Sequence, residues 1–152
     1  MIHIGDQLPT FQGLNQEGEL VKSSDFKGQK LIIFFYPKAN TPGCTAEACN
    51  LSDHYTELKK QGYALLGISA DSVERQKKFH DKFHFPYDLI ADESRAIIEQ
   101  FGVWQLKKFM GREFMGIVRT TFIFDENGTC IRIIDKVKTK DHAAQILENE
   151  TK

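Results

Sequence analysis

The chain has 152 residues, with 20 lysines and arginines against 21 aspartates and glutamates. This length suits a single domain, which we expect to span residues 1–152, and the 41% hydrophobic content is typical of a globular protein rather than a disordered one. The formal net charge of −1 disfavours a dedicated nucleic-acid-binding or anionic-membrane-binding protein, because such a protein needs a basic face.

Five short runs rich in β-branched and aromatic residues predict strands, at residues 31–36, 63–69, 87–91, 120–124 and 130–135. The first run is apolar without alternation, as expected for a central strand covered on both faces. The turn Asp125-Glu-Asn-Gly128 predicts that the last two strands form an antiparallel hairpin. Residues 11–21, turning at Glu17-Gly18, predict a further small hairpin.

Four segments between and after the strands predict helices, at residues 45–61, 71–84, 93–101 and 140–149. Asp71 is the expected N-cap of the second helix, in a variant capping box with Glu74. The alternation of strands and helices predicts an α/β fold with helices on both faces of a mostly parallel sheet that has one antiparallel edge. This order is compatible with a thioredoxin-like sandwich, although fold alone does not name a function.

The cysteine count and the start of the chain predict a cytoplasmic protein. The beginning, Met1-Ile-His-Ile, lacks the zones of a signal peptide, and the longest apolar run is shorter than the roughly 18 residues of a membrane span. Three cysteines in a reducing compartment are too few for a disulfide scaffold. A disulfide in this chain is therefore expected to serve chemistry.

The loop after the first long strand carries the candidate chemistry, and it reads Tyr36-Pro-Lys-Ala-Asn-Thr-Pro-Gly-Cys44. Open α/β sheets place their sites in such loops. Pro42-Gly43 ends the loop, so we expect Cys44 in the first helical turn, where free N–H groups and the helix dipole favour a thiolate. Cys44 is therefore a candidate nucleophile.

Other residues that have reactive or ligating side chains carry weaker signals. Cys130 lies in a predicted strand, where a small buried hydrophobe is the expected interpretation. His80 and His84 have a spacing compatible with a metal, but no third ligand is specified nearby, so we expect no metal site. Residues 107–112 are basic, and they predict either a solvated loop or a docking surface for a reductant or an anionic substrate.

The pattern Pro37-x3-Thr41-x2-Cys44 resembles the peroxiredoxin signature, and its continuation to Cys49 resembles the Q-type branch, also called bacterioferritin comigratory proteins. Further similarity lies in Gly102-Val-Trp104, in residues 107–112 and in the stretch from residue 116 to 125, which contains Arg119. The resemblance covers nearly the whole chain. It implies a thioredoxin-like fold, with a central mixed β-sheet flanked by helices on both faces.

The resemblance also implies a role for each site residue. Cys44 would attack a hydroperoxide and become a sulfenic acid. Thr41 would direct its hydroxyl toward the thiolate and the peroxide, and Arg119 would stabilise the thiolate and the leaving oxygen. Pro37 would shield the sulfenic acid, and Glu47 would hold Arg119.

In the same branch Cys49 would resolve the sulfenic acid by forming a disulfide with Cys44, which thioredoxin or a similar dithiol would reduce. If both cysteines are helical, about 7.5 Å of axial rise separates their Cα atoms, which exceeds the roughly 7 Å limit for a disulfide. The bond would then require the first turns of the helix to unwind. The resemblance implies no metal or organic cofactor, and it implies a monomer or a weak dimer.

Two competing functions remain open at this stage. A protein thiol–disulfide oxidoreductase is the first, although the chain lacks C-x-x-C and has no proline after position 86. A redox-regulated binding module, whose helix exposes a surface on oxidation, is the second.

Overall fold

The computed structural model describes residues 1–148. The strands, in chain order, are β1 (Gln12–Leu14), β2 (Leu20–Lys22), β3 (Lys30–Phe35), β4 (Tyr63–Ser69), β5 (Asp88–Ala91), β6 (Trp104–Phe109), β7 (Arg112–Ile117), β8 (Thr120–Phe124) and β9 (Cys130–Ile134). The helices are α1 (Pro42–Asp53), α2 (Tyr55–Lys60), α3 (Val73–Phe83), α4 (Ala96–Gln100) and α5 (His142–Glu148), and a short 3₁₀ helix spans Ser23–Phe26.

Seven of the strands form one mixed sheet, in the order β2-β1-β5-β4-β3-β8-β9. Strand β4 pairs in parallel with β3 and with β5, whereas the remaining pairs are antiparallel. The expectation of a mostly parallel sheet with one antiparallel edge is therefore wrong. Between β5 and β8 the chain passes through α4 and then the β6–β7 hairpin, and β8 enters the sheet antiparallel to β3.

Strand β3 lies between two buried cores, one on each face of the sheet. Ile33 and Phe35 face the side that holds α4, while Ile32 and Phe34 face the side that holds α1, α2, α3 and α5. All four side chains are inaccessible to solvent. The predictions of a central strand covered on both faces, and of helices on both faces, are confirmed.

The predicted strands agree with the structure to within one residue, and the hairpin predicted at residues 11–21 is formed by β1 and β2. The β6–β7 hairpin was not predicted. Its two strands join at Met110 and Gly111, which have φ angles of 51° and 79°, as a tight turn of the I′ kind requires. The solvated-loop interpretation of residues 107–112 is therefore wrong, because these residues belong to a paired ribbon.

The predicted helix over residues 45–61 is divided in two at His54, which has a φ of −106° and a ψ of 12°. Nδ1 of His54 lies 2.9 Å from the Asn50 carbonyl oxygen, so the side chain competes for an acceptor of the helix ladder. The two pieces still lie end to end. Helix α1 carries the candidate nucleophile.

The N-cap of α3 is Ser72 and not Asp71, because the Ser72 hydroxyl accepts the hydrogen bond from the Arg75 N–H at 3.2 Å. The Asp71 carboxylate instead accepts hydrogen bonds from the Ser69 hydroxyl and from the Ala39 N–H, each at 2.7 Å. The expected capping role of Asp71 is thus wrong, and Asp71 anchors the loop that leads to α1.

Two further helices differ from their predicted bounds of 93–101 and 140–149. Helix α4 begins only at Ala96, because Arg95 has a left-handed φ of 64°. The Asp92 carboxylate accepts a hydrogen bond from the N–H of Ile98, which lies in the first turn of this helix. Helix α5 begins at His142, and residue 149 lies outside the described residues.

Candidate active site

Cys44 is the third residue of α1, with Thr41 as the N-cap and Pro42 at the first helical position. Its side chain is 1% exposed and belongs to the core on the α1 side of the sheet. The predicted position in the first turn of a helix that follows the central strand is confirmed. Free backbone N–H groups at that turn favour a negative charge on the sulfur.

Arg119, in the connection between β7 and β8, bridges the thiol and a buried carboxylate. Its Nη2 donates a hydrogen bond to Cys44 Sγ at 3.3 Å, and its Nη1 donates to Glu47 Oε1 at 2.6 Å. Glu47 follows Cys44 by one helical turn and is completely buried. The structure therefore brings together Cys44, Glu47 and Arg119, although 72 residues separate Arg119 from Glu47 in the chain.

Burial and pairing have opposite effects on the Glu47 carboxyl. Burial raises the pKa of Glu47 to about 7, and the charge and hydrogen bond of Arg119 act in the lowering direction. For the guanidinium, burial works against the charge, but the charges of Glu47 and Cys44 raise the pKa of Arg119 above its usual value. Arg119 therefore stays protonated and can serve only as a fixed cation and hydrogen-bond donor.

Gly43 gives the guanidinium room to reach the thiol. A Cβ atom at position 43 would lie 3.3 Å from Nη2 of Arg119, tighter than nearly all such contacts. This requirement was missed in the sequence, where Gly43 was interpreted only as part of the loop end. No sequence signal near Gly43 indicates which distant side chain passes over it.

Thr41 and Pro37 lie in the loop between β3 and α1, and both are half-buried. The Thr41 hydroxyl donates a hydrogen bond to the Lys38 carbonyl oxygen at 2.8 Å, which fixes the side chain within the loop. Pro37 directly follows the buried Tyr36. Neither side chain has a hydrogen bond to Cys44 among the contacts the structure describes, so their roles in catalysis stay predictions.

Cys49 lies in the same helix as Cys44, so the condition that both cysteines are helical is met. The side chain is half-buried and its thiol is free. Burial, and secondarily the charge of Asp53, raises the pKa of Cys49. Cys130 is buried in the core on the opposite side of the sheet, in accordance with its expected packing role.

A second buried network, which the sequence did not reveal, holds the start of the loop. Tyr36 donates its hydroxyl hydrogen bond to the Gln76 side chain, and the Gln76 amide donates to the Ser69 hydroxyl at 2.9 Å. Ser69 in turn donates to Asp71, which accepts from the Ala39 N–H. The end of β4 and the beginning of α3 thereby fix the backbone that carries Cys44.

The β6–β7 hairpin lies beside the site. The Lys107 ammonium group donates to the Ile117 carbonyl oxygen at 2.9 Å, and burial together with the nearby Arg119 lowers the pKa of Lys107. The large apolar side chains of this hairpin that are exposed are Leu106, Phe109, Met110, Phe114 and Met115. Trp104 packs under the Arg95 guanidinium, 4.4 Å from its ring centroid.

Among residues 1–148 no group of three or more His, Cys, Asp or Glu side chains is arranged to hold a metal, and no helix is both long and apolar enough to cross a bilayer. A cavity of about 820 Å³ lies at the other end of the sheet strands, lined by Leu31 and Phe124 and distant from Cys44.

The chain is similar to known proteins over most of its length. The AhpC/TSA family pattern matches residues 4–133. The chain is 42% identical to Peroxiredoxin Bcp of Bacillus subtilis over 97% of this chain and 94% of that protein, and 44% identical to Peroxiredoxin Bcp of Escherichia coli over 94% and 92%. The structure of the Xanthomonas campestris bacterioferritin comigratory protein superposes with a TM-score of 0.87 at 30% identity, covering 96% of this chain and 98% of that one.

Proposed function

Because this chain belongs to the AhpC/TSA family and is a peroxiredoxin of the Bcp type, a thiol-dependent peroxidase, we propose that Cys44 is the cysteine that attacks the peroxide. These relatives confirm the family, the thioredoxin-like fold and the thiol-peroxidase activity expected from the sequence, and the role of each residue is the proposal. The observation that carries it is the contact of 3.3 Å between Arg119 Nη2 and Cys44 Sγ, at the start of a helix.

In the proposed first step Cys44 Sγ attacks the terminal oxygen of the hydroperoxide and the O–O bond breaks. The sulfur is oxidised to a sulfenic acid, and the leaving oxygen takes up a proton and departs as water or an alcohol. Arg119 stabilises the thiolate and then the charge that develops on the leaving oxygen. Thr41 directs its hydroxyl toward the reacting oxygens, and Pro37 shields the sulfenic acid.

In the proposed second step Cys49 attacks the sulfenic sulfur, which forms a Cys44–Cys49 disulfide and releases water. Because both residues lie within α1, about 7.5 Å of helical rise separates them and the first turns must unwind. A dithiol protein such as thioredoxin then reduces the disulfide. Because Glu47 also lies in α1, it moves when the helix opens, and its hydrogen bond with Arg119 breaks.

For the substrate we propose hydrogen peroxide and organic hydroperoxides, and for the biological role antioxidant defence. The Xanthomonas campestris relative is described as having alkyl peroxide reduction activity. The exposed apolar side chains of the β6–β7 hairpin beside the site offer contacts for an organic substituent. We also propose that the protein is located in the cytoplasm, where dithiol reductants operate. We further propose that residues 1–152 form a single domain and that the protein is a monomer or a weak dimer.

The test compares Cys44→Ser with Cys130→Ser, a matched exchange of a buried cysteine on the other side of the sheet. Cys44→Ser should abolish peroxide consumption with a dithiol reductant, while Cys130→Ser should keep it within about twofold. Turnover of peroxide by the Cys44→Ser protein would eliminate the proposal. Rapid reduction of insulin disulfides without any response to peroxide would favour a protein disulfide oxidoreductase instead.

A further inference from the structure

The two carboxylate oxygens of Glu47 lie in unlike surroundings. Oε1 accepts the hydrogen bond of 2.6 Å from Arg119. Oε2 is buried and accepts no hydrogen bond from the residues that the structure describes. It faces the imidazole of His142 in helix α5, with Nε2 at 3.6 Å, which is beyond hydrogen-bond distance.

The Gln145 side chain fixes the hydrogen position on His142. The Gln145 amide nitrogen donates to the Lys136 carbonyl oxygen at 3.0 Å, and its Oε1 accepts from the Lys138 N–H at 2.8 Å. The same Oε1 lies 2.9 Å from Nδ1 of His142. An oxygen of that amide can only accept, so Nδ1 must carry the proton.

A neutral His142 therefore has a bare Nε2, which accepts a hydrogen bond from the Thr121 hydroxyl at 2.7 Å. Both side chains are completely buried. Burial lowers the pKa of His142 to about 4, so the imidazole is neutral near neutral pH. In this state His142 has no N–H to offer to Glu47.

The other charged and titratable groups around Glu47 and His142 come from four parts of the chain. Arg119 before β8 contacts both Oε1 of Glu47 and the thiol of Cys44 in α1. Tyr87 before β5 donates its hydroxyl hydrogen bond to the Ala48 carbonyl oxygen. Arg132 in β9 donates to backbone carbonyl oxygens of α5 and lowers, with Arg119, the pKa of His142. Of these groups, Arg119 is the one whose hydrogen bond to the Glu47 carboxylate the structure describes.

We propose that His142 is a positioning residue for Cys44. Its imidazole fills the space beside Oε2 of Glu47 and offers that oxygen no hydrogen-bond donor. The inference rests on the proposed roles of Cys44 and Arg119. Because no donor to Oε2 is found within residues 1–148, the hydrogen bonding of the carboxylate depends on Arg119, whose second nitrogen is thereby held at the sulfur. The same carboxyl gains a proton more readily, which reduces the negative charge next to the Cys44 thiolate.

The experiment compares His142→Gln with His142→Leu in a background that carries Cys49→Ser and Cys130→Ser, so that only Cys44 reacts. The Gln variant presents an amide N–H to Oε2, whereas the Leu variant fills the space without a donor. Two quantities are measured: the titration midpoint of Glu47 from the NMR shift of its carboxyl carbon, and the rate of Cys44 alkylation by iodoacetamide against pH.

His142→Gln should lower the Glu47 midpoint by about one pH unit and slow alkylation of Cys44 at pH 7 by about fivefold, since the carboxylate then stays charged beside the thiolate. His142→Leu should leave the Glu47 midpoint in place and the alkylation rate within about twofold. Equal effects of both variants, or no effect of His142→Gln, would overturn the inference.

His142→Asn serves in the same way if His142→Gln does not fold. Peroxide consumption by the unmodified protein is recorded in parallel. Its absence would refute the proposed function, whereas the carboxyl titration and the alkylation rate would still report on His142.

Discussion

Gly43 and Arg119 approach each other so closely that a single methyl group on Gly43 would lie 3.3 Å from the guanidinium. The nitrogen concerned is Nη2, the same atom that donates to Cys44 Sγ. The placement of the cation therefore depends on the absence of a side chain one residue before the nucleophile.

Gly43→Ala should displace Nη2 by a few tenths of an ångström, and we expect kcat/KM for peroxide to fall by roughly tenfold to 100-fold with little change in the melting temperature. Gly18→Ala is not a suitable control, because Gly18 has a left-handed φ of 73°. Ala46→Gly, which changes one methyl group in the same helix, provides the control. A Gly43→Ala enzyme with unchanged kcat/KM would show that this spacing is unimportant.

The raised pKa of Glu47 predicts a dependence of stability on pH. Burial moves this pKa from 4.5 to about 7, so between these values the native state binds a proton that the unfolded chain has lost. The contribution of Glu47 to the free energy of unfolding therefore falls as pH rises from about 4.5 to about 7. Glu47→Gln removes this titration and keeps an acceptor for Arg119.

Chemical denaturation at several pH values measures the effect. The free energy of unfolding of the unmodified protein relative to Glu47→Gln should decrease by roughly 3 kcal/mol across this window, because one pKa unit corresponds to about 1.4 kcal/mol. Glu113→Gln, at an exposed position of β7, should show no such trend. A difference that is constant or that increases with pH would contradict the assigned ionisation of Glu47.

The position of both cysteines in α1 predicts a change in order on oxidation. Formation of the Cys44–Cys49 disulfide should increase amide hydrogen exchange across residues 45–51, while β3 stays protected. Cys49→Ser treated with the same amount of peroxide should show no such increase. Unchanged exchange in a protein whose disulfide has been verified by mass spectrometry would refute the unwinding step.

The sequence predicted the elements whose signals are local. Strand β3 and the first turn of α1 follow from an apolar run and from Pro42-Gly43, and these alone place Cys44 correctly. The direction of β8 was not predictable in the same way, because it depends on the pairing of β8 with β3, which lies far away in the chain. That hairpin turns at Met110-Gly111, which is not one of the common turn dipeptides, and it leaves several apolar side chains exposed.

In the candidate site, too, local signals were predictable and contacts between distant residues were not. Arg119 and Glu47 were predicted only through the resemblance to a family, since no pattern in the residues relates two positions 72 apart. His142 carried no signal at all, because its importance arises from a contact between α5 and α1 that forms only in the folded chain. Asp71 was misinterpreted as a helix cap, because the alternative partner, the Ala39 N–H, lies 32 residues away.

In the proposed reaction Cys44 is oxidised first, and Cys49 then resolves the sulfenic acid. The most direct measurement treats the reduced protein with one equivalent of hydrogen peroxide and identifies the products by peptide mass mapping, with Cys49→Ser trapped by dimedone in parallel. We expect a Cys44–Cys49 disulfide in the unmodified chain and a dimedone adduct on Cys44 in the variant. A first adduct on Cys49 or Cys130, or a disulfide that includes Cys130, would contradict it.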